Sequence, residues 1–310
     1  MKMFTIEHGS ALYGLKTPSS DTDFKSVYVP THRQIVLGKF PSVIDVDARE
    51  KKAGEKNVST DVDNQIYSLH LFFHMLTKGE MISIDMLHAP HATSQEPIML
   101  DMFHRIQEHR HLFYCSNMAS FLGYIKTQAA KYGIKGSRLA FAKQLNEIVK
   151  DLPKVKTDKI RDLLLESEFA VKTDDCYELF GSRYMWTGWS TEVQLKLTKM
   201  INEYGARAQA AERNEGVDWK ALHHALRSAY QVGDIFREQN IVFPFEGERK
   251  ELLMKIKTGQ LPYVQVAELI EEEVLAVEQA KATTTLPAQV DQEAIDDLLY
   301  ELVLEFGDMK

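Results

Sequence analysis

His8-Gly9-Ser10-Ala11-Leu12-Tyr13-Gly14-Leu15-Lys16-Thr17-Pro18-Ser19-Ser20-Asp21-Thr22-Asp23 is the stretch whose reading decides the fold. An apolar run ending at Ile6 precedes it, and Phe24, Val27, Tyr28 and Val29 follow. This pattern predicts a strand, a Gly-Ser turn, a short helix, a polar loop and a second strand that opens with two aspartates. Residues two apart on a strand leave the same face, so Asp21 and Asp23 are expected side by side. Two carboxylates held so repel unless a positive charge lies between them. A hard divalent cation meets that need, because Mg²⁺ takes one or two carboxylates and leaves room for substrate phosphates. Gly9 lets the backbone approach a ligand closely, and Ser10 offers a hydroxyl and an N–H at the predicted helix start, where anions are favoured. Phosphate on one side and metal carboxylates on the other make the layout of a nucleotidyl-transfer site. Without the Gly-Ser pair, the two aspartates would read as a solvated strand edge.

Gly9-Ser10, Tyr13-Gly14-Leu15 and Ser20-Asp21-Thr22-Asp23 together resemble the signature of the DNA polymerase β superfamily of nucleotidyltransferases. More narrowly, they resemble the predicted nucleotidyltransferases of bacteria and large tailed phages, some of them associated with RNA repair. The resemblance implies an α+β fold, with a small mixed sheet and helices as catalytic core. It also implies two Mg²⁺ ions, for which Mn²⁺ can substitute, and transfer of a nucleoside monophosphate from an NTP. Gly9, Ser10 and Ser20 are the nucleotide-binding residues it suggests here. One departure is that Ala11 and Leu12 follow Gly-Ser, where related sequences often carry a basic residue.

Two metals on a transferring phosphoryl group call for a further carboxylate that completes one ion's ligands and assists deprotonation of the attacking hydroxyl. The resemblance puts it on a strand beside the Asp21/Asp23 strand. Asp63, ahead of Ile66-Tyr67-Ser68-Leu69, is the first candidate, Asp85 within Ser83-Ile84-Asp85-Met86-Leu87 the second, and Asp61 the third. A second constellation is Trp219-Lys220-Ala221-Leu222-His223-His224-Ala225-Leu226-Arg227. On a helix Lys220, His224 and Arg227 stand at i, i+4 and i+7, on one face. Spacing alone describes a solvated basic face. The same Lys-x-x-x-His-x-x-Arg pattern in the resembled proteins assigns the three to the phosphates of the NTP, Arg227 as a bidentate fork and Lys220 as a point charge. Ile241-Val242-Phe243-Pro244, Ile256-Lys257-Thr258-Gly259 and Thr285-Leu286-Pro287 extend the resemblance over nearly the whole chain.

The totals bound the reading. At 310 residues, with 44% hydrophobic and 26% charged residues, the chain is long enough to bury a large core. Its apolar runs fall short of the roughly 18 residues of a membrane span, so no membrane partner is expected. Cys115 and Cys176 show neither metal-ligand spacing nor a disulfide framework, which points to a cytoplasmic protein, host cytoplasm if phage-encoded. A net charge of −8 argues against bulk nucleic-acid binding but leaves room for a local basic groove. Lys126, Lys131, Lys135, Arg138, Lys143, Lys150, Lys154, Lys156, Lys159 and Arg161 concentrate in one such segment. His70, His74, His88 and His91 form no defensible metal set, and Trp186 and Trp189 read as packing residues. Gly123-Tyr124 with Gln128 and Lys131 resembles a family helix near the nucleotide.

Along the chain, residues 31–55 read as a loose segment, a third strand runs near Asn57–Tyr67, and Ser68 caps a helix that Gly79 ends. Met81–Leu87 reads as a fourth strand or buried turn. Helices are expected over Met99–Ile106, Ala119–Lys131, Arg138–Lys150, Lys159–Phe169, Glu192–Tyr204, Trp219–Arg237, Glu248–Thr258, Val264–Ala280 and Gln292–Phe306, with an irregular aromatic stretch over Cys176–Trp189. The simplest division is a catalytic core over 1–97 and a helical region over 98–310 that completes the NTP site and binds the acceptor. The expected function is transfer of an NMP from an NTP to an acceptor hydroxyl, an RNA or tRNA end first and a protein hydroxyl second. A catalytically idle nucleotide-binding protein is the third reading.

Overall fold

The computed structural model describes the chain except for residues 1, 19, 48–61, 119–120, 122, 124, 126–135, 168, 213–215 and 308–310. The fold is α+β, with a small mixed sheet near the N-terminus and helices through most of the rest. Strands β1 (Met3–His8), β2 (Thr22–Tyr28), β3 (Val43–Asp47) and β4 (Val62–Ser68) form a sheet in the order β1-β2-β4-β3. The central pair β2–β4 is parallel, and β1 and β3 are added antiparallel at the two edges. Phe4, Ile6 and His8 alternate inward along β1, the period-2 pattern of a half-buried strand.

Residues 31–55 are not wholly loose. Thr31 caps a short helix, α1 (His32–Val36), through reciprocal bonds with Gln34, and Val43–Asp47 adds the edge strand. Ser68 behaves as its sequence suggests, its hydroxyl accepting the Leu71 N–H at 3.2 Å to start α2 (Leu69–Thr77). Gly79, at φ +61°, takes the left-handed conformation that ends it. Met81–Leu87 is a helix, α3, and not the expected strand or turn. Ile84, Asp85, Met86 and Leu87 are all buried, so burial runs around the element and no single apolar face shows in the sequence. Helix α4 (Ile98–Glu108) packs on β1, where the Phe4 ring meets Phe103 at 5.1 Å and Phe72 of α2 at 6.4 Å.

Helices α5 (Gly136–Val149), α6 (Ser190–Glu212), α7 (Trp219–Glu238), α8 (Gly247–Lys257), α9 (Tyr263–Thr283) and α10 (Gln292–Phe306) follow the expected segments. Two expectations fail. The segment Thr157–Leu163 is a 3₁₀ turn and no helix continues to Phe169. The aromatic stretch is a regular antiparallel sheet of β5 (Ala170–Lys172), β6 (Cys176–Leu179) and β7 (Ser182–Met185). Strands of three or four residues are too short to show alternation. The expected helix over Ala119–Lys131 lies largely outside the described residues, as do Tyr124, Gln128 and Lys131.

The chain forms two compact units, and they do not follow a boundary at residue 97. One comprises residues 1–125, 223–260 and 272–310; the other comprises 126–222 and 261–271. The first holds the four-stranded sheet with α2, α3, α4 and α10. The second has its own core, in which Leu145, Val149, Tyr177, Leu179, Val193 and Leu197 are fully buried.

Candidate active site

The register of the sheet carries the expected carboxylates to one place. Asp23 is the direct partner of Asp63 across the parallel β2–β4 pair, so both side chains leave the same face. By the same alternation this face carries Phe4, Ile6, Val27 and Tyr67, all buried, toward the opposite end of the strands. One sheet face is thus apolar core at one end and acidic at the other. Asp21 lies just ahead of β2, two residues before Asp23, and Asp21, Asp23 and Asp63 are each partly exposed. Asp61 is outside the described residues.

Gly9 explains why its position needs a glycine. Its φ is +64°, and a Cβ there would stand 2.6 Å from Asp23 Oδ2. The Gly-Ser bend and the Asp23 carboxylate are in contact, as the sequence requires. The short helix expected after Ser10 does not form. Gly9–Gly14 is a run of turns, with Tyr13 N–H to Gly9 O at 3.3 Å and Leu15 N–H to Ser10 O at 2.8 Å, so Ser10 does not head a helix. Ser20 shapes the loop before the aspartates: its hydroxyl accepts the Thr17 N–H at 3.0 Å.

Asp85 occupies a different environment. It is fully buried on α3, and Tyr13 Oη donates to one of its oxygens and Gln231 Nε2 to the other, each at 2.5 Å. Arg227 Nη1 lies 3.6 Å away and bonds Gln231 Oε1 at 2.8 Å, while its guanidinium carbon sits 3.9 Å over the Tyr13 ring. Burial pushes the Asp85 carboxyl up to about 6, against the opposing pull of Arg227 and of the bonds from Tyr13 and Gln231. The same burial, with the charges of Lys25 and Arg227, takes His8 down to about 3. Asp85 is therefore a buried anchor for the bend that carries Gly9 and Ser10.

The stripe expected on α7 divides. Arg227 is 1% exposed and belongs to the Asp85 network. His224 is partly exposed beside His223, with ring centroids 5.3 Å apart. Lys220 is exposed in the first turn of the helix and belongs to the second compact unit. Hydrophobic neighbours Leu222, Leu226 and Ala229 pack fully, as expected.

One residue of the site was not anticipated. Lys25 follows Asp23 by two and so shares its face, where its ammonium donates to Gln65 Oε1 at 2.7 Å. Burial lowers its pKa, while Asp23, Asp45 and Asp63 act in the other direction by favouring its charge. The i, i+2 spacing from Asp23 was the available signal. Among the described residues no three His, Cys, Asp or Glu side chains are gathered tightly enough to cage an ion by themselves. What the bend offers is hard carboxylate oxygen beside the Gly-Ser main chain, a donor set that fits Mg²⁺ completed by substrate phosphates and water.

Residues 2–150 match the family described as the RNA repair pathway DNA polymerase beta family, RlaP. The chain is similar to an uncharacterized 38.9 kDa protein of the nrdC-mobD intergenic region of Enterobacteria phage T4, at 34% identity over 96% of this chain and 95% of the phage protein. No solved structure matches. No helix among the described residues is long and apolar enough to cross a membrane.

Proposed function

This chain belongs to the RNA repair pathway DNA polymerase beta family, and from that membership we propose that it is a Mg²⁺-dependent nucleotidyltransferase acting on an RNA end. The reaction is attack of an acceptor hydroxyl on the α-phosphorus of an NTP, with pyrophosphate leaving. The observation that carries the reading is the in-register pair Asp23–Asp63, with Gly9 pressed against Asp23. Asp21, Asp23 and Asp63 would hold the metal, which supplies charge neutralisation on the phosphoryl oxygens. Asp63 is preferred to Asp85 as the further carboxylate, because both Asp85 oxygens are engaged in the interior. We assign to it also the acceptance of the proton from the attacking hydroxyl.

Gly9 permits the left-handed bend that sets the Gly-Ser main chain against the Asp23 carboxylate. His224 is assigned to the triphosphate tail on its sequence pattern. Arg227 acts indirectly, by fixing Tyr13 and with it the bend. The acceptor assignment rests on the family's description and on the basic segment of the second unit.

The test is incubation of the full chain with each α-³²P-labelled NTP, Mg²⁺, and total RNA or lysate protein. Label should enter RNA, and Asp23→Asn and Asp63→Asn should each abolish it while Asp85→Asn retains the metal requirement. Label in protein would move the acceptor to a protein hydroxyl. Absence of any transfer, with NTP-dependent thermal stabilisation retained, would leave a nucleotide-binding protein and sink the enzymatic reading.

A further inference from the structure

The second unit carries an aromatic and basic surface, of which the nucleotidyl-transfer reading uses only the positive charge. Trp189 is 40% exposed, whereas Trp186 is 8% exposed and packs on Tyr177. Two ammonium groups lie over the Trp189 ring, Lys156 at 4.1 Å and Lys154 at 4.9 Å from its centroid. Arg161 lies 4.6 Å over Trp186. Between residues 154 and 161 stand Lys154, Lys156, Lys159 and Arg161 against a single acid, Asp158, in a chain of net charge −8. All five are exposed.

Backbone pairing holds this surface in place. Lys156 and Trp189 are opposite residues of an antiparallel bridge, Thr157 N–H bonds Gly188 O at 3.0 Å, and Asp158 N–H bonds Trp186 O at 3.1 Å. Ser190, fully buried, fastens the other end: its N–H donates to Val155 O at 2.9 Å and its hydroxyl accepts the Val155 N–H at 3.2 Å. Lys156 is further fixed by a bond from its ammonium to Thr187 O at 2.8 Å. Glu192, exposed in the first turn of α6, accepts the Trp189 N–H at 3.5 Å and is a second nearby acid.

We propose that Trp189 with the segment 154–161 is a binding site for a single-stranded polynucleotide, the indole as a stacking platform and the basic side chains as phosphate contacts. An exposed ring bracketed by lysines on a rigid backbone is what a base and its flanking phosphates require. Magnitudes favour exchange of the lysines for a base. A lysine over an exposed ring is worth about two- to fivefold in an equilibrium, and a stacked base about five- to 150-fold. Lys154, without the Thr187 tether of Lys156, is the side chain that moves from ring to phosphate. The site lies wholly within the second unit, so it does not depend on the metal site being catalytic.

The test is fluorescence anisotropy of a labelled oligo(U) RNA and an oligo(dT) DNA of about 12 nucleotides, titrated with the full chain without NTP or divalent metal. At least one should bind. Trp189→Ala should weaken binding by about five- to 150-fold, and Trp189→Phe should recover most of it. Lys154→Glu with Lys156→Glu should weaken binding and lower the salt slope by about one to two units. The pair Lys250→Glu and Lys255→Glu, exposed on α8 of the other unit, serves as a charge control and should change little. Matching unfolding curves show that the variants are folded. RNA preference and DNA preference both support the site and choose its sugar. No binding to either oligonucleotide, or equal affinity across wild type, Trp189→Ala and the double lysine variant, overturns it. The labelling assay reports separately on nucleotidyl transfer.

Discussion

Gly9 and Asp23 show how little room the site leaves for change. An alanine at position 9 would have to hold φ +64°, which alone costs an L-residue about 1–2 kcal/mol. Its methyl group would also displace the Asp23 carboxylate it would meet at 2.6 Å. Gly9→Ala is therefore expected to lower stability by about that amount in denaturant unfolding and to lower NMP transfer far more than the stability loss explains. Full activity in a destabilised variant would show that Asp23 does not need its present position. The need for a glycine at position 9 could be read from residues 8–23 without coordinates, since a bend and an acidic strand were both evident there. Lys25 was signalled only by its i, i+2 spacing from Asp23, and a lysine on a strand reads as a solvated edge until the partner strand is known.

At the level of elements, the site is a product of strand register. A slip of one residue between β2 and β4 would send Asp63 to the other face of the sheet. Lys25 then has a specific electrostatic role, because in the metal-free protein its ammonium moderates the repulsion of Asp23, Asp45 and Asp63. Lys25→Met should lower the metal-free melting temperature and enlarge the upward shift that Mg²⁺ produces, measured by differential scanning fluorimetry. An unchanged Mg²⁺ shift would remove Lys25 from the site's electrostatics. Elements with a clear 3.6-residue period were legible, and α10 begins and ends where its apolar spacing predicts. Those missed differ in cause. α3 is apolar nearly all round, β5–β7 are shorter than one alternation can prove, and β3 is an edge strand preceded by Gly38 and Pro41. The pairing of Asp23 with Asp63 was foreseen only as one of three choices, since register is a tertiary fact.

Over the whole molecule, buried titratable groups set how stability depends on pH. His88 closes α3 onto a later segment: its Nδ1 accepts the Ile241 N–H at 3.1 Å, and its Nε2 lies 2.8 Å from Tyr114 Oη. Burial, with the charge of Arg110, lowers its pKa from 6.5 to about 4. The folded protein thus keeps this ring neutral where the unfolded chain protonates it. That contribution is fully present above pH 6.5 and is lost as pH falls from 6.5 toward 4, up to about 3 kcal/mol. His8 acts in the same direction down to about pH 3. Asp85, with its carboxyl raised to about 6, opposes them between 3.8 and 6, where the folded state binds the extra proton. Equilibrium unfolding between pH 7 and 4 should therefore show stability falling once pH drops below about 6.5, and His88→Gln should flatten the slope. A pH-independent midpoint would contradict this assignment.

The quartet of Tyr13, Asp85, Arg227 and Gln231 has a consequence for how this protein can vary. Removing one partner leaves a charge or dipole unmatched in the interior, a penalty of about 3–5 kcal/mol for a buried ion pair, whereas an all-apolar set of similar volume can be neutral. Single steps are penalised and the concerted replacement is not, so the four positions are expected to travel together through descent: lineages should keep the whole set or exchange it entire.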